Sequence, residues 1–454
     1  MKLLVANRGE IAVRVVRAAR ELGIATVAVY STADAATLAV ELADEAVCIG
    51  PPAAVDSYLN VRNVLAAAEI TGCDAVHPGY GLLSENAAFA RACADQGLTF
   101  VGPDPGVMER MGDKARTRDE AQLVGLPVLP GSDGPVRDLA EAAAAAGRIG
   151  YPVLLKAVAG GGGRGMRRVE GPAELAAAFD VAAREATAAF GHGGLYVERA
   201  LDGARHVEIQ VLADGMGGVL ICGDRDCSIQ RRHQKLVEEA PAPRLPTATR
   251  EAMQEAAYRA TRAWGYRSAG TLEFLVDGDG AFYFLELNAR LQVEHPVTEL
   301  VTGLDLVAEQ LRVATGELLS ETGSAVLRGH AIEVRINAED PARGFRPAAG
   351  RLREFRMAGG PGVRVDTHCA PGALVPPYYD SLLAKLCVWA PDRPRAVARL
   401  ARALDETVVT GIPTTLALLG NIVEEREFAA GRYGTGYLVE RAEALPALGS
   451  SRAA

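Results

Sequence analysis

The chain has 454 residues, of which 49% are hydrophobic and 23% charged, and its formal net charge at pH 7 is −9. This balance is ordinary for a globular protein and leaves room for about three domains with sizeable cores. An acidic chain offers no broad basic surface to nucleic acid or to an anionic membrane, so small molecules and other proteins are its expected partners.

The sequence also bears on the compartment. The N-terminal stretch MKLLVANRGE lacks the long apolar core of a signal peptide, and no apolar run reaches the length of a membrane span. We therefore predict a cytoplasmic protein. Its seven cysteines are scattered and form no CxxC pair, which predicts reduced structural thiols rather than a disulfide framework or a zinc site.

Strands and helices alternate at the start of the chain. A strand at 2–6, a helix at 10–21 and a strand at 25–30 form a unit of a parallel sheet, and the alternation continues to about residue 110. The first turn, at 7–9, lacks the GxGxxG pattern, which argues against a dinucleotide-binding domain.

A glycine- and proline-rich loop, HPGYGLLSEN at 77–86, follows one of these strands. Open α/β sheets bind ligands at the carboxyl ends of their strands, so Tyr80 and Gly81 are candidate ligand contacts. The alternative is a tight turn capped by Ser84, and the sequence of this loop alone favours neither.

A small module follows a linker that reads VLPGSDGP. A strand at 151–156, a glycine-rich loop at 160–165 and a strand at 166–169 come first, and a helix at 173–188 and the strand LYVERA complete the module. Glycines let backbone N–H groups approach phosphates, and Lys156 places a positive charge beside them. The loop is not a Walker motif, and a flexible hinge is the alternative interpretation.

Two strands and an extension near 206–235 carry a basic cluster, which the Pro-rich segment EEAPAPRLP is expected to end. Its members are basic or amide side chains, namely His206, Gln230, Arg231, Arg232, His233 and Lys235. Such a cluster in an acidic protein predicts an anion site, and a solvated run of charges is the alternative.

The stretch TLEFLVDGDGAFYFLELNARLQVEH at 271–295 predicts a β-hairpin. Asp279-Gly280 is a strong signal for a two-residue type I′ turn, and counting outward from it places Glu273 opposite Glu286. Opposed carboxylates repel each other, and Mg²⁺, which prefers carboxylate, water and phosphate oxygens, would neutralise them. A surface hairpin with solvated acids is the alternative.

The last portion of the chain mixes strands and helices. A strand at 328–340 and further strands precede helices near 394–407 and 414–422, which predicts an α+β domain. Arg335 stands inside an otherwise apolar alternation, where a structural ion pair is the simplest account.

Eight motifs occur in an order that resembles biotin carboxylase, the ATP-grasp component of biotin-dependent carboxylases. They read ANRGEIA, HPGYGLLSEN, MGDK, GGGGRGM, RDCSIQRRHQK, ELNARLQVEHPVTE, EVRINAED and PPYYDS. The likeness covers nearly the whole chain, and eight ordered motifs are strong evidence where a lone glycine loop would be weak. It implies a multidomain α/β and α+β protein with an N-terminal parallel α/β domain at 1–110, an ATP-grasp domain at 111–325 whose mobile lid spans about 131–200, and a C-terminal α+β domain at 326–445.

The resemblance implies that ATP passes its γ-phosphoryl group to bicarbonate to give carboxyphosphate, whose CO₂ is transferred to biotin. The residues implied for ATP are Lys114, Lys156, Gly161, Gly162, Gly163, Gly165, Met166, Glu198, His206, Gln230, His233 and Leu275. Those implied for bicarbonate are Lys235, Arg290, Gln292, Val293 and Glu294, those for biotin are Tyr80, Gly81 and Arg335, and those for Mg²⁺ or Mn²⁺ are Glu273, Glu286 and Asn288. Lys235, Arg290, Glu294 and Arg335 are the implied catalytic residues, with Glu294 as the general base and Arg335 stabilising the enolate-like ureido oxygen of biotin.

The family also implies partners. Biotin is expected on a separate biotin carboxyl carrier protein, since no lysine here lies between two methionines, and carboxyltransferase subunits would complete an acyl-CoA carboxylase. A homodimer with Arg14 at its two-fold interface is expected. Ala159 and Arg199 depart from the family pattern without removing a catalytic group, and the loosely matching tail leaves an adenine contact by Tyr437 open.

Two other classes of protein compete with this interpretation. Another ATP-grasp carboxylate-amine ligase would share the nucleotide and metal residues but use a different acceptor, and Tyr80, Glu294 and Arg335 argue against it. A catalytically silent binding protein is disfavoured by the intact set of acidic, basic and glycine elements.

Overall fold

A computed structural model of the chain describes residues 1–158, 166–190, 193–231 and 234–449. Its first elements are β1 Lys2–Val5, α1 Gly9–Glu21, β2 Ala25–Ser31, α2 Leu38–Leu42, β3 Glu45–Gly50, α3 Val61–Thr71, β4 Ala75–His77, α4 Ala87–Asp95 and β5 Thr99–Phe100. The strands form a parallel sheet in the order β3-β2-β1-β4-β5, which confirms the predicted alternation. β1 is apolar and buried from Leu3 to Val5, as expected of a strand that helices cover on both faces.

A smaller module of three antiparallel strands and two helices follows. The elements that lead into it and build it are α5 Pro105–Gly112, α6 Lys114–Leu123, α7 Leu139–Ile149, β6 Val153–Ala157, β7 Met166–Val169, α8 Pro172–Phe190 and β8 Leu195–Arg199. The strand order is β7-β6-β8. Leu155, Val169, Leu175 and Val197 belong to a hydrophobic cluster confined to this module, so it has a core of its own. The predicted glycine-rich loop at 160–165 lies outside the described residues.

The middle of the chain supplies most of a larger, mainly antiparallel sheet. Its elements are β9 Arg205–Asp214, β10 Val219–Arg231, β11 Gln234–Ala240, α9 Thr247–Ala263, β12 Arg267–Val276, β13 Phe282–Asn288, α10 His295–Thr302, α11 Leu306–Ala314, β14 Gly323–Ser324 and β15 His330–Asn337. The helices α9 and α11 pack against β9, β10 and β12. Apolar side chains on these strands form the core beneath the helices.

The C-terminal portion continues the same sheet. Its elements are β16 Glu339–Asp340, β17 Arg346–Pro347, β18 Gly350–Arg351, β19 Phe355–Arg356, β20 Val363–Thr367, β21 Leu374–Val375, β22 Leu382–Ala390, α12 Arg393–Glu406, β23 Val408–Val409, α13 Leu416–Glu424, α14 Arg426–Ala429 and α15 Tyr437–Glu440. The large sheet runs in the order β13-β12-β9-β10-β11-β15-β22-β20, and β14 pairs with β10 in parallel. One sheet thus joins strands from both sides of the predicted boundary at 325.

One strand of this sheet differs from the prediction. The sequence predicts that the proline-rich segment EEAPAPRLP ends the strands that precede it. In the structure β11 continues into this segment as far as Ala240, and it pairs with both β10 and β15. The sequence does not indicate this strand because it contains Glu238 and Glu239. Ionisable residues are rarely fully buried unless they are paired, so two of them argue against a buried strand.

The hairpin of β12 and β13 has the predicted pairing of Glu273 with Glu286. Nearer the turn, however, Phe274 pairs with Phe284, so Leu285 is an extra residue on the second strand. This is a β-bulge, which shifts the register by one residue. The two acids are therefore opposite each other because the bulge compensates for the loop that precedes it.

The loop of the hairpin is longer than predicted. It spans 277–281, and the Asp277 carboxylate accepts hydrogen bonds from the backbone N–H groups of Asp279 and Ala281. Only Gly280 of the predicted turn pair has a positive φ, at +86°, whereas a type I′ turn needs one at both central positions. The prediction of a two-residue turn is thus wrong. The Asp277 side chain instead closes a longer loop by its hydrogen bonds to the backbone.

Two predictions concern membrane-spanning helices and the state of the cysteines. Within the described residues, no helix combines the length and the apolar character needed to cross a membrane. All seven cysteines are free thiols, and five of them are buried.

Candidate active site

A cavity of about 1190 Å³ lies where the N-terminal sheet, the three-stranded module and the large sheet meet. The predicted site residues that line it are Tyr80, Gly81, Lys156, Met166, Glu198, His206, Gln230, Lys235, Glu273, Leu275, Glu286, Asn288, Arg290, Gln292, Val293, Glu294 and Arg335. The predicted residues that lie wholly or by their side chains outside the described part are Lys114, Gly161, Gly162, Gly163, Gly165 and His233. The fold therefore gathers residues that are up to 255 positions apart, from Tyr80 to Arg335, around one space.

One end of the cavity is built on the three-stranded module. Lys156 on β6 and Glu198 on β8 form an ion pair there, and Arg118 Nη1 lies 3.5 Å from the second oxygen of Glu198. Met166 faces Lys156 across the strand pair, and Leu275 adds an apolar wall from the hairpin. This end offers cations beside apolar surface, which suits a ligand with a charged and an apolar part.

Lys235 occupies the centre of the cavity wall. Its Nζ lies 2.7 Å from Glu208 Oε2, 3.0 Å from Glu273 Oε1 and 2.5 Å from Glu294 Oε1. Burial alone would lower the pKa of Lys235, but Cys227 and the three carboxylates around the ammonium outweigh burial and hold that pKa well above its usual range. The side chain is therefore an ammonium ion shared among three acids.

Glu273 is the acid of the hairpin that faces inward. Besides Lys235, it contacts His206 Nε2 at 3.1 Å and accepts a hydrogen bond from Gln292 Nε2 over 3.1 Å. Burial would raise the pKa of Glu273, but Lys235 and His206 outweigh it and hold the pKa well below the usual range. The positive charge that the hairpin pairing called for is thus present beside Glu273, as Lys235.

Glu294 is fully buried between two cations. Its Oε1 accepts from Lys235, and its Oε2 accepts from Arg335 Nη2 over 2.9 Å. Burial would raise the pKa of Glu294, but Lys235, Arg335 and Arg225 outweigh it and hold the pKa well below the usual range. The group is a carboxylate whose basicity rises when a ligand draws those cations away.

Arg335 is held from behind by a further acid. Its Nε donates to Glu238 Oε1 over 2.6 Å, and its side chain is 14% exposed on the cavity side. The ion pair predicted as the simplest account of Arg335 is therefore confirmed, with Glu238 and Glu294 as partners. The pair also fixes the plane of the guanidinium, which is the property that a ligand oxygen would use.

The outer part of the hairpin is organised by Arg290. Its Nη2 donates to Asn288 Oδ1 over 3.0 Å and its Nη1 to Gln292 Oε1 over 2.9 Å, while its Nε donates to Glu85 over 2.9 Å. Glu286 is exposed to solvent on this part of the hairpin. One guanidinium thus ties the amide side chains of the hairpin to the loop at 77–86.

Three groups of described residues have donor atoms suited to a cation. In one of them, formed by Glu208, Cys227 and Glu294, the Lys235 ammonium already contacts both carboxylates. Glu273, Glu286 and Asn288 offer oxygens from neighbouring register positions, which is the ligand type that Mg²⁺ prefers. His206, Glu208 and Glu273 have ligand atoms within 4.8 Å of one another, but the Lys235 ammonium already contacts both of these carboxylates. The hairpin group therefore fits a hard cation better.

The loop that carries Tyr80 is anchored by the first turn of the chain. Asn7 Nδ2 donates to the carbonyl oxygens of Pro78 and Tyr80 over 2.6 and 2.8 Å. Gly79 has a φ of +62°, and a Cβ there would stand 2.8 Å from Asn7 Nδ2, so the close approach requires glycine. The alternative of a Ser84 cap is not what the structure has, since the buried Ser84 Oγ has no hydrogen-bond partner among the described residues.

Two residues that the resemblance singled out lie away from the cavity. Arg14 is 10% exposed and its Nη2 donates to Glu299 and Asp305 of the same chain over 2.8 and 2.6 Å. Tyr437 is buried, with its hydroxyl 3.3 Å from Glu425 Oε2. Among the described residues of the tail, Thr435 lines the cavity in its place.

Sequence reasoning missed a set of buried charged residues around the predicted ones. They are Glu10, Glu208, Arg225, Glu238 and Lys385. Glu10, Glu208 and Lys385 each stand among apolar residues, the signal that did single out Arg335, and applying it to every strand and helix would have found these three. Arg225 stands between two aspartates and Glu238 beside Glu239, so this signal does not mark them. Their partners could not be found in this way, because the partners come from distant parts of the chain.

Comparison with known proteins agrees with this geometry. Three family models match consecutive parts of the chain: Biotin carboxylase, N-terminal domain at 1–108, Carbamoyl-phosphate synthase L chain, ATP binding domain at 113–322, and Biotin carboxylase C-terminal domain at 333–440. A biotin carboxylase of Nostoc sp. is 54% identical over 440 residues, which cover 97% of this chain and 98% of that protein. Biotin carboxylase 1 of Bacillus subtilis is 50% identical, with 96% and 98% covered.

Solved structures are equally similar. The biotin carboxylase domain dimer of Hydrogenobacter thermophilus 2-oxoglutarate carboxylase, in complex with MgADP, ADP and bicarbonate, has a TM-score of 0.93, 48% identity and 98% of each chain covered. A biotin carboxylase from Campylobacter jejuni in a β-γ-ATP complex has a TM-score of 0.93 and 46% identity, with 97% of this chain and 98% of that chain covered.

The parallel N-terminal sheet, the separate small module and the cavity beneath it define an ATP-grasp ligase, and the predicted fold class is confirmed. The three matches together extend from residue 1 to residue 440, with short gaps, rather than over the nucleotide-binding part alone. The chain belongs to the biotin carboxylase family, and its activity is the ATP- and bicarbonate-dependent carboxylation of biotin.

Proposed function

We propose that the chain carboxylates biotin on a separate carrier protein through carboxyphosphate, as the first half-reaction of an acyl-CoA carboxylase. One observation supports the proposal most directly: Lys235 and Arg335 both donate hydrogen bonds to the Glu294 carboxylate. That group lines the same cavity as Lys156 and Tyr80, so a small anion held there would share one space with a nucleotide and with biotin.

ATP is assigned to the end of the cavity formed by the three-stranded module. Lys156 would contact phosphate oxygens, and Glu198, Met166 and Leu275 would surround the base and ribose. His206 and Gln230 complete the described part of this set, whereas Lys114, the glycine-rich loop and His233 are included because of the resemblance alone. The separate core of the small module supports its role as a lid that closes over the nucleotide.

Glu273, Glu286 and Asn288 are the residues proposed to hold Mg²⁺ or Mn²⁺. The bound cation would neutralise charge on the phosphates, which is the main need of phosphoryl transfer. Arg290 holds the Asn288 side chain by a hydrogen bond to its Oδ1, so it would set the amide orientation in this group. Glu273 would have to share its carboxylate with Lys235.

Bicarbonate is assigned to Lys235, Arg290, Gln292, the Val293 backbone and Glu294. The anion would draw Lys235 away from Glu294, and the carboxylate, relieved of one cation, would gain basicity. Glu294 would then take the bicarbonate proton at Oε1, and the bicarbonate oxygen would form a bond to the γ-phosphorus while the bond to ADP breaks.

Biotin is assigned to Tyr80, Gly81 and Arg335. Carboxyphosphate would release CO₂, the phosphate formed would remove the proton from the biotin N1′, and that nitrogen would form a bond to the CO₂ carbon. Negative charge would then develop on the ureido oxygen, where the planar Arg335 guanidinium, already fixed by Glu238, would stabilise it.

The partners and the compartment are also part of the proposal. A biotin carboxyl carrier protein would bring biotin, carboxyltransferase subunits would use the product, and two copies of this chain would form a dimer. A relative is named as the small subunit of 2-oxoglutarate carboxylase, and one solved structure is described as a domain dimer, which supports assembly with other chains. We place the protein in the cytoplasm, although plant relatives are named chloroplastic.

The proposal is tested by measuring ADP release with and without bicarbonate and free biotin. We expect ADP release to require bicarbonate and to accelerate with biotin, and a biotinylated carrier supplied in trans to become carboxylated by labelled bicarbonate. Equal ADP release in bicarbonate-free buffer would contradict the proposal, and release that depends on an added amine instead would support a carboxylate-amine ligase. Covalent biotin found on this polypeptide would contradict the separate carrier.

A further inference from the structure

Lysine is rare in this chain. Only five of its 48 basic residues Lys and Arg are lysines, namely Lys2, Lys114, Lys156, Lys235 and Lys385. Three of the five already belong to the proposed ATP and bicarbonate sites, and Lys2 lies at the surface in a pair with Glu45. Lys385 is the remaining one, and nothing assigned so far uses it.

Lys385, on β22, is fully buried. Because water cannot solvate its charge there, the ammonium group needs hydrogen-bond acceptors or acids as partners. Its Nζ donates to the Val293 carbonyl oxygen over 3.0 Å and lies 3.1 Å from Glu10 Oε1. A third acceptor, Asp366 Oδ2, lies at 3.6 Å. One ammonium group therefore meets groups from three distant parts of the chain.

The contact with Val293 bears on the general base. The carbonyl that Lys385 holds belongs to the peptide bond between Val293 and Glu294, so its position fixes the backbone from which the Glu294 side chain departs. The next element, α10, begins at His295 immediately after it. Lys385 thus acts on Glu294 without touching the cavity contents.

The contact with Glu10 leads to the opposite side of the cavity. The Tyr80 hydroxyl donates to the same Oε1 of Glu10 that faces Lys385. Glu10 is itself buried, in the first turn of α1. The pair of Glu10 and Lys385 therefore joins the backbone beside Glu294 to the side chain of Tyr80.

We infer that Lys385 is a positioning residue that, with Glu10, sets the bicarbonate and biotin groups of the cavity relative to each other. The inference rests on the proposed function, since it gives Val293, Glu294 and Tyr80 their ligands. An ammonium suits this place better than a guanidinium because its three N–H donors point to acceptors that converge on one atom, whereas the donors of arginine lie in one plane. This accounts for a lysine in a chain that uses arginine at most other cationic positions.

The position of Lys385 also separates its role from that of the nucleotide residues. Its contacts lie at Val293, Glu10 and Asp366, none of which belongs to the Lys156 and Glu198 end. A change at Lys385 should therefore alter the use of bicarbonate and biotin but spare nucleotide binding. If Lys385 only stabilised the fold, its replacement would weaken nucleotide binding and the use of bicarbonate and biotin alike.

The test compares Lys385→Met, Lys385→Arg and Glu10→Gln with the control Lys2→Met. Steady-state ADP release gives KM and kcat for bicarbonate and free biotin, and calorimetry gives the Kd for MgADP. In Lys385→Met we expect kcat/KM for bicarbonate and for biotin to fall about tenfold or more, because small displacements of reacting groups are costly, with the MgADP Kd unchanged within about twofold. Lys385→Arg should be impaired in the same direction, and Lys2→Met should behave as the wild type.

Lys385→Met leaves buried Glu10 without its cation, although Asp366 keeps Arg364, and the variant can fail to fold, so Glu10→Gln provides the second test. Gln keeps the size of the side chain and removes the charge that holds Lys385. We expect the same selective loss, in smaller degree, and wild-type kinetics for bicarbonate and biotin in folded Glu10→Gln or Lys385→Met would overturn the inference. Equal weakening of MgADP and bicarbonate would overturn it as well. A wild-type chain whose ADP release ignores bicarbonate would instead overturn the proposed function.

Discussion

Arg225 Nε donates to Glu208 Oε1 over 2.6 Å, and neither side chain is exposed to solvent. The other donors of Arg225 are also used, with Gln210 Oε1 at 2.7 Å and Thr298 Oγ1 at 2.8 Å. Glu208 turns its second oxygen to Lys235 over 2.7 Å. Arg225 therefore stabilises the position of Lys235 indirectly, through Glu208, which both cations contact.

The first prediction concerns the stability of this arrangement. Arg225→Met leaves Glu208 buried beside one cation instead of two, and we expect the free energy of unfolding to fall by about 3 to 5 kcal/mol, the cost of breaking a buried pair. Urea denaturation measures it. The control is Arg402→Met, which removes a pair between exposed Arg402 and Glu406 and should have a far smaller effect. Equal midpoints for the two variants would show that the Arg225 network does not stabilise the fold.

The second prediction separates chemistry from binding at Glu294 and Arg335. Both groups act on charge that appears during the reaction, so Glu294→Gln and Arg335→Ala should each lower biotin-dependent kcat roughly a hundredfold or more. The Kd for ADP should stay close to that of the wild type. The exposed Glu321→Gln is the matched control for the loss of a carboxylate. Variants that bind ADP normally and keep wild-type turnover would show that these roles are misassigned.

The third prediction uses the pH dependence of stability. Burial raises the pKa of Glu238 from an ordinary 4.5 to about 7, although Arg335 opposes the shift. The folded chain therefore binds a proton that the unfolded chain releases, so this contribution to stability is complete below pH 4.5 and is lost as the pH rises through 7. Relative to Glu238→Gln, the wild-type free energy of unfolding should fall by roughly 3 kcal/mol over this interval.

Urea denaturation of both proteins measures this difference, at several pH values from just below 4.5 to above 7. A difference between wild type and Glu238→Gln that stays constant over the range would mean that folding does not shift the pKa of Glu238, and a difference that rises with pH would mean that folding lowers it.

The fourth prediction concerns the hairpin and its metal. Chelation should abolish ADP formation, and added Mg²⁺ or Mn²⁺ should restore it. Glu286→Gln should raise the Mg²⁺ concentration for half-maximal activity roughly tenfold or more, since even residues that only orient metal ligands have effects of that size. Asp279→Asn, on the exposed loop of the same hairpin, is the control. An unchanged Mg²⁺ requirement in Glu286→Gln would remove this residue from the metal group.

Much of the fold follows from local patterns. The helix predicted at 10–21 is observed at Gly9–Glu21, and the strand predicted at 206–214 at Arg205–Asp214, because amphipathic periodicity and strand alternation are local properties. The strand 234–240 was missed for the same reason, since its buried Glu238 and Glu239 break the apolar pattern that marks a central strand.

The site was predictable in its residues but not in its pairings. The sequence singled out Lys235, Glu294 and Arg335, yet it could not show that Arg335 contacts both Glu238 and Glu294. Lys385 illustrates the limit most clearly, for its partners Glu10 and Val293 lie on other elements, and only the folded sheet brings them within hydrogen-bond distance. Contacts of this kind depend on tertiary packing, which no local pattern records.

The extra residue at Leu285 has a consequence for what the hairpin tip can accept. The strand pairs from Val276 and Phe282 to Thr271 and Asn288, with the bulge among them, hold Glu273 opposite Glu286. Gly278 and Asp279 at the tip are exposed, and a Cβ added at Gly278 would meet no other atom within 4 Å. Residues inserted between these two positions, or a fluorescent label attached there, would extend into solvent on the same rigid ribbon that carries the two acids, and would report on the ribbon without displacing them.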